Sequence, residues 1–147
     1  MLADSPLFSE SSGRRVVAAI LAYKSGDVQA IIGVIPLIEA ALGSLCRIAG
    51  LDTVKPIRDR SSLATEHVVL GGLLAALLDA HFDAQLKSTF RYWRFVLADR
   101  FGVNLRNQFM HGFWDELTTA EAALIIQILI SLAALRIEGG QDSGREI

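Results

Sequence analysis

The chain has 147 residues, of which 52% are hydrophobic, and its formal net charge is −2 at pH 7. That length suits one domain with a substantial core, and the charge excludes a global positive field that would recruit nucleic acid. The single cysteine, Cys46, excludes an internal disulfide and any multi-cysteine metal site, and it fits a reducing compartment. We therefore expect a single-domain cytoplasmic protein.

The mean hydropathy of +0.40 is high, so membrane insertion has to be considered. The longest uncharged runs are Val28–Ile38, Val68–Leu78 and Ala122–Leu135. None of them reaches the roughly 18 residues that a spanning helix needs. We therefore predict no membrane insertion, and we attribute the hydropathy to buried helices or to a large oligomer interface. Residues 1–13 lack an apolar stretch and are predicted to be a flexible tail, not a signal peptide.

The first half of the chain predicts helices separated by glycine and proline. Arg14–Lys24 is predicted to be a short amphipathic helix. Asp27 can cap a second helix that runs towards Gly50, and Pro36 within it predicts a kink or a break into two pieces. Leu51–Arg60, with its proline and charges, is predicted to be a loop.

The second half continues the helical pattern. Ser62–His81 is predicted to be a third helix, loosened or closely packed at Gly71 and Gly72, and Asp83–Phe101 a fourth. Thr118 and Glu121 predict a capping box for a last helix that ends at Gly139. No stretch alternates like a strand, so the predicted class is all-α: a dimeric bundle of about five helices. The predicted domain spans residues 14–138, and residues 139–147 are a second flexible tail.

The polar residues that could support chemistry are concentrated in Gly102–Trp114. Asn104 is a typical N-cap and Gly112 a typical stop, so Leu105–His111 is predicted to form two turns of helix. Arg106 then lies in the first turn, where a cation faces the positive end of the helix dipole. Because local stability does not explain a cation there, we infer an anion site in which helix amides and a guanidinium bind phosphate.

Helical geometry places the side chains of Arg106 and His111 on different faces of the predicted helix. Asn107 and His111 share a face, whereas Arg106 lies about 140° around the helix from His111. One copy of the helix cannot easily direct both groups at one atom, but two copies facing each other across a two-fold axis could. His111 titrates near neutral pH, which suits general acid or base catalysis.

Residues 106–112 read Arg-Asn-x-x-x-His-Gly, which resembles the signature of the HEPN superfamily of helical RNA-processing domains. The longer segment Gly-Val-Asn-Leu-Arg-Asn-x-x-x-His-Gly-Phe, residues 102–113, is similar to one branch of it. That branch occurs in bacteria and in the endoplasmic reticulum membrane-associated RNA degradation protein. The run Ile38–Gly43 is also similar to the branch, and the resemblance extends over roughly residues 27–137.

This resemblance implies a helical dimer that cleaves RNA without a metal or another cofactor, with the site at the dimer interface. Arg106 would stabilise charge on the phosphoryl oxygens, and His111 would move the proton of the attacking 2′-hydroxyl or of the leaving oxygen. Asn107 would position one of these groups. Related sequences often have an aromatic residue before the histidine, where this chain has Met110, and this departure concerns the shape of the pocket.

Two other residues could support the motif. Glu39 lies in a helix that is apolar nearly all round, and a buried carboxylate is costly without a partner. It could pair with Arg106 or His111 and orient it, or it could pair with Arg47 or lie on a narrow exposed strip. Asn104 is expected to act as a cap.

The predicted fourth helix carries a basic face. Lys87, Arg91 and Arg94 follow i, i+4, i+7 spacing and form either an RNA-binding stripe or an ordinary solvated face. Among the neighbouring aromatic residues, Phe90 and Trp93 are expected in the core with Leu86 and Leu97, and only Tyr92 is a candidate for stacking on bases.

Two main functions remain open on the sequence alone, beside a third interpretation as a membrane-peripheral helical protein. The first is a metal-independent endoribonuclease, with RNA and a second copy of the chain as partners. The alternative is a non-catalytic dimerisation, protein-interaction or RNA-binding module, in which the motif holds helices together and an apolar surface docks a larger protein or further domains. No DNA specificity is evident, and His67, His81 and His111 lack metal-ligand spacing.

Overall fold

The computed structural model describes residues 5–59, 62–110 and 116–136, without the side chains of 55–59, 62–67, 107, 109 and 110. Five α-helices of ten residues or more build the core, which confirms the predicted helical class. In chain order the elements are α1 (Glu10–Lys24), a 3-10 helix (Val28–Val34), α2 (Ile35–Ile48), β1 (Val54–Asp59), β2 (Ser62–His67), α3 (Leu70–Asp79), α4 (Ala84–Leu97), α5 (Leu105–Met110) and α6 (Thr119–Ala134).

The domain begins earlier than predicted. Ser9 caps α1 by accepting a hydrogen bond from the backbone N–H of Ser12, so the helix starts at Glu10 and not at Arg14. Just before the cap, Leu7 and Phe8 are buried in the core. The predicted tail of residues 1–13 is therefore wrong from Ser5 onwards, because two adjacent apolar side chains suffice to anchor this segment although they form no periodic pattern.

The predicted break near Pro36 is confirmed. Asp27 accepts a hydrogen bond from the N–H of Ala30 and caps a 3-10 helix, which gives way to α2 at Ile35. Pro36 occupies the first turn of α2, where its missing N–H would have no helical partner in any case. The change of helix type thus places proline at a helix start and not in a helix interior.

Val54–Asp59 and Ser62–His67 form a two-stranded β-sheet, in a region predicted from the sequence to be a loop followed by a helix. The strands pair antiparallel, with Val54 opposite His67 and Pro56 opposite Thr65. In a two-stranded sheet both strands are edges, so Pro56 can leave one N–H bond unmade without breaking an inner ladder. The third helix consequently begins at Leu70 and not at Ser62.

The glycine pair of α3 divides into one crowded position and one open position. A Cβ atom at Gly72 would lie 2.5 Å from Cγ1 of Val68, whereas one at Gly71 would meet nothing within 4 Å. The predicted close packing therefore applies to Gly72 alone.

The fourth helix begins as predicted and ends four residues early. Asp83 caps α4 by accepting a hydrogen bond from the N–H of Leu86 at 2.8 Å. The predicted apolar seam is present, with Phe90, Trp93 and Leu97 fully buried and Leu86 partly so. The chain leaves the helix after Leu97, not at Phe101, because the N–H groups that follow turn back onto its last carbonyls.

The capping box that starts α6 is confirmed. The hydroxyl of Thr118 accepts from the N–H of Glu121, whose carboxylate accepts from the N–H of Thr118. Gln29 binds the residue before the cap from both sides, since its amide donates to the carbonyl of Leu117 at 3.0 Å and accepts from its N–H at 2.8 Å. The helix ends at Ala134, and the predicted end at Gly139 lies outside the described residues.

The 3-10 helix and α2 together, Val28–Ile48, are long and apolar enough to cross a membrane by length and composition. This run was not predicted from the sequence because Glu39 and Arg47 interrupt its uncharged residues. A core helix meets the same criterion, and α2 buries Ile38, Leu42 and Cys46 among the other helices. The α2 part of this run is thus packed in the core of the fold.

Candidate functional site

The motif segment begins in a loop that folds back onto the end of α4. The N–H of Asp99 donates to the carbonyl of Arg94 at 2.8 Å, and the N–H of Val103 donates to the carbonyl of Phe95 at 3.0 Å. Gly102 lies so close beneath Phe95 that a Cβ atom would overlap this carbonyl oxygen and would come within 2.9 Å of ring carbon Cδ2. Any larger residue at Gly102 would therefore displace the loop that leads into the motif.

Helix α5 is fixed at its first turn. Asn104 has φ +54°, a left-handed conformation that asparagine tolerates better than most residues, and its carbonyl accepts from the N–H of Gln108. Leu105 is fully buried and anchors the helix in the core. The side chain of Gln108 donates to the carbonyl of Val103 at 2.9 Å. Asn104 thus occupies the predicted cap position, although with a turn-like backbone and not the extended one usual for a cap.

Arg106 reaches across to α2. Its Nη2 atom lies 3.4 Å from Oε2 of Glu39 in α2, 67 residues away in the chain. The side chain of Arg106 is 19% exposed and that of Glu39 is 31% exposed, so the pair is partly shielded and still reachable by solvent. Of the partners weighed for Glu39, the structure brings it to Arg106.

Arg47, the other candidate partner of Glu39, makes a different contact. Its guanidinium donates to the hydroxyl of Ser44 at 2.9 Å. Glu39, Ser44 and Arg47 all line a cleft of about 460 Å³ between α2 and the start of α1, to which Ser9 and Ser12 add hydroxyl groups. Glu39, the partner of Arg106, therefore lines a solvent-accessible cleft with mixed polar and apolar walls.

The remaining motif residues lie at the limit of what the structure describes. His111, predicted to be the acid or base, falls outside the described residues, and so does the side chain of Asn107. Their predicted roles stay predictions. Within the described ranges, no group of three or more histidine, cysteine, aspartate or glutamate side chains could hold a metal ion.

The basic face of α4 leads towards the motif. Arg91 and Arg94 are exposed and Lys87 is half-buried, an arrangement that suits both a solvated face and a phosphate-binding stripe. Tyr92 is half-buried and its hydroxyl donates to Oε1 of Gln127 in α6, so it ties two helices together. Tyr92 was the aromatic residue predicted as a candidate for stacking on bases, and its hydroxyl is thus already hydrogen-bonded within the fold.

Two exposed aromatic residues were not predicted from the sequence to be part of the site. Phe95 is 50% exposed, and Phe101, placed beyond the end of α4, is 80% exposed. The guanidinium carbon of Arg100 lies 4.5 Å from the centre of the Phe101 ring, in cation–π range. The signal was present in the sequence, since Phe95 lies off the predicted seam and next to Arg94.

Cys46 is buried in α2, and its thiol lies 3.7 Å from the carbonyl of Leu73 in α3. Burial raises the pKa of the Cys46 thiol above its ordinary value, and the charge of Arg47 opposes this shift only in part. Because the thiolate is the reactive form, this residue is suited to packing and not to nucleophilic attack.

The fold and the site together define a mainly helical domain in which a short polar helix is joined to α2 by an arginine–glutamate pair. Comparison with protein families, with curated proteins and with solved structures gives no match for this chain.

Proposed function

We propose that this chain is a metal-independent endoribonuclease of the HEPN type, which acts as a homodimer and uses Arg106, Asn107 and His111. The observation that carries the proposal is the contact between Arg106 and Glu39. It holds a motif guanidinium in a partly exposed position next to Glu39, a residue that lines a solvent-accessible cleft, and a phosphate could reach the guanidinium there. The histidine of the proposed site, His111, is assigned from the Arg-Asn-x-x-x-His-Gly spacing in the sequence.

The reaction needs no external nucleophile. The ribose 2′-hydroxyl attacks the adjacent phosphorus, the bond from phosphorus to the 5′ oxygen breaks, and the products are a 2′,3′-cyclic phosphate and a 5′-hydroxyl. His111 takes the proton of the nucleophile or supplies one to the leaving oxygen, and Arg106 donates hydrogen bonds to the non-bridging oxygens. A positioned acid or base contributes about 10²- to 10⁴-fold and one charge-stabilising donor roughly 10²- to 10³-fold.

Glu39 is a positioning residue in this scheme. An arginine side chain has several rotatable bonds, and holding it in one orientation removes an entropic cost from the reaction. A guanidinium group carries several N–H donors in a fixed fork, so pairing with a carboxylate does not by itself exclude a hydrogen bond to a phosphate.

The proposal is tested by incubating the protein with single-stranded RNA in excess chelator and analysing the ends of the products. The wild type should release 2′,3′-cyclic phosphate ends. Arg106→Ala and His111→Ala should each lower kcat at least a hundredfold. Arg14→Ala and His81→Ala are matched controls, since both residues are exposed and lie outside the motif.

Two results would refute the assignment. Cleavage by Arg106→Ala and His111→Ala at the wild-type rate would remove these residues from the site. Cleavage that disappears on adding chelator would show a metal-dependent reaction instead.

A non-catalytic interaction module is the second candidate, and an apolar surface on α1 favours it. Val17 and Leu21 are exposed and line a shallow cleft of about 330 Å³ with Gly13 and Ala18. In such a module the Glu39–Arg106 pair would only join helices. Arg106→Ala would then lower the melting temperature or the extent of dimerisation, and no wild-type cleavage would be detected.

A further inference from the structure

Two exposed aromatic rings lie among arginines where α4 passes into the motif loop. We name Arg91, Arg94, Phe95, Arg100 and Phe101 the Arg–Phe surface. A single exposed phenylalanine would require no explanation. Here both rings have arginine neighbours, and the guanidinium of Arg100 lies over the ring of Phe101 at 4.5 Å.

Backbone bonds hold this surface in place. The N–H of Val103 donates to the carbonyl of Phe95, and the N–H of Phe101 donates to the carboxylate of Asp99 at 3.0 Å. Arg91 and Phe95 are i, i+4 neighbours on α4, with Arg94 beside them on the same side. The aromatic rings are thus carried by a helix end and a hydrogen-bonded loop.

The charge of this region differs from that of the whole chain. Residues 84–106 contain five lysines or arginines and one acidic residue, Asp99, whereas the full chain has a net charge of −2. The carboxylate of Asp99 accepts a hydrogen bond from the N–H of Phe101 in the loop. The Asp99 side chain is therefore held at the loop and does not extend freely over the arginines. Positive charge is therefore concentrated where the aromatic rings are exposed.

These features favour a polyanion over a second copy of the chain. A two-fold contact through this surface would bring identical arginines together, and like charges in a desolvated interface are destabilising. A nucleic acid offers phosphates to the guanidinium groups and flat bases to the phenyl rings. Bases in a duplex are already stacked on each other, so exposed rings fit a single strand.

We propose that the Arg–Phe surface binds single-stranded nucleic acid, with a base stacked on Phe101 and phosphates bound by Arg91, Arg94 and Arg100. This inference rests on the proposed function, because it describes how an RNA strand would be held as it reaches the motif. It adds Phe95, Arg100 and Phe101 to the residues expected to contact the substrate.

Binding is measured with the full chain and a fluorescein-labelled oligodeoxythymidine of about 12 nucleotides, within the range that single-strand sites cover. DNA has no 2′-hydroxyl and cannot undergo the proposed cleavage, so binding is observed separately from reaction. Fluorescence anisotropy should give a Kd that rises roughly 5- to 150-fold in Phe101→Ala. Phe101→Trp should retain the affinity, because it keeps an aromatic face.

Matched variants separate stacking from general surface effects. Leu21→Ala removes an exposed apolar side chain on α1 and should leave the Kd unchanged. Arg91→Gln with Arg94→Gln should lessen the dependence of log K on log salt concentration by about 0.7 for each phosphate that the variant no longer binds. Lys24→Gln, an exposed cation at the far end of α1, should not alter that slope.

The inference is overturned if wild type does not bind the oligonucleotide, if Phe101→Ala binds as tightly as wild type, or if a duplex competes equally well. It is also overturned if Phe101→Ala changes the oligomeric state without weakening binding, since the surface would then be a self-association face. A wild-type protein that cleaves RNA but does not bind the oligonucleotide would refute this inference alone. Binding by a protein that cleaves no RNA would support it and refute the proposed function.

Discussion

Glycine is required at position 102 because of a close contact with Phe95, which the sequence does not show. Its position beneath the carbonyl of Phe95 leaves no room for a Cβ atom. We expect Gly102→Ala to lower the free energy of unfolding by about 1–3 kcal/mol, because the loop must shift to relieve the overlap. Urea denaturation measures this change.

Gly71→Ala is the matched control for that substitution. Gly71 lies in α3 with open space around its Cα, so a methyl group there meets nothing. Alanine favours a helix interior over glycine by about 0.5–1 kcal/mol. Gly71 lies in the first turn of α3, so this variant should be at least as stable as wild type. Equal destabilisation by both substitutions would contradict the close approach at Gly102.

The Glu39–Arg106 pair should contribute more to stability than an ordinary surface pair. Its side chains are 31% and 19% exposed, and a partly shielded charge pair loses less of its attraction to solvent. A double-mutant cycle with Glu39→Ala and Arg106→Ala should give a coupling energy of about 1 kcal/mol. The Glu10–Arg14 pair of α1, whose side chains are mostly exposed, is the control and should give a smaller value.

The raised pKa of Cys46 predicts slow thiol labelling. Burial favours the neutral thiol, so near pH 8 the folded protein holds less thiolate than the unfolded chain. Ellman's reagent should therefore react slowly with the native protein and rapidly in concentrated urea. By the same sign, stability should fall as the pH rises past the ordinary thiol pKa, since the unfolded chain then loses this proton first. Fast labelling of the native protein would contradict the burial of Cys46.

At the scale of elements, helices with strong local signals were predictable from the sequence. Asp27 and Thr118 each accept the capping bond that the sequence predicts, and Asp83, predicted as the start of the fourth helix, caps that helix. Pro36 marked the change from the 3-10 helix to α2, because a proline can be accommodated at a helix start. These features depend on neighbours a few residues away, and such neighbours are visible in the sequence.

The features that were missed lack a signal in the local sequence pattern. The strands β1 and β2 pair with each other although neither alternates apolar and polar residues. Leu7 and Phe8 are ordered by burial in a core that the rest of the chain supplies. The Glu39–Arg106 contact remained one of several possibilities, since only the packing of α5 against the fold selects among partners 67 residues apart.

Gln29 in the 3-10 helix stabilises the start of α6. Its side-chain amide hydrogen-bonds both the carbonyl and the N–H of Leu117. These two bonds hold the start of α6 against the 3-10 helix. Gln29→Leu should destabilise the fold by about 1–3 kcal/mol, because it leaves partly buried backbone groups unsatisfied. Hydrogen exchange should be accelerated first at the start of α6. Gln85→Leu, at an exposed position of α4, is the control and should change little.

For the whole molecule, the distribution of charge matters more than its total. The chain is slightly acidic, yet residues 84–106 are basic and lead directly into the motif. A nucleic acid would therefore be attracted to one region and repelled by the remainder, which suits a protein that must orient a strand and not merely collect it. The Arg–Phe surface could therefore guide a strand to the proposed site although the protein has no positive field over its whole surface.

Whether the proposed site is formed by one subunit or by two can be decided with mixed dimers. Arg106 and His111 are predicted to lie about 140° apart around one helix, so the proposed reaction needs a histidine from the second copy. Arg106→Ala and His111→Ala, each inactive alone, would then complement each other. A mixed dimer has one site with both residues and one site with neither.

Random exchange of equal amounts makes half of the dimers mixed, so about a quarter of the wild-type activity should return if sites are shared between subunits. The measurement is RNA cleavage after the two variants are unfolded together and refolded, with the same variants refolded separately as the control. If each subunit carried a complete site, no mixture could contain an intact one, and activity would stay at the level of the separate variants. Recovery in the mixture alone would show that the chain works as a dimer and that His111 and Arg106 act on the same phosphate from opposite subunits.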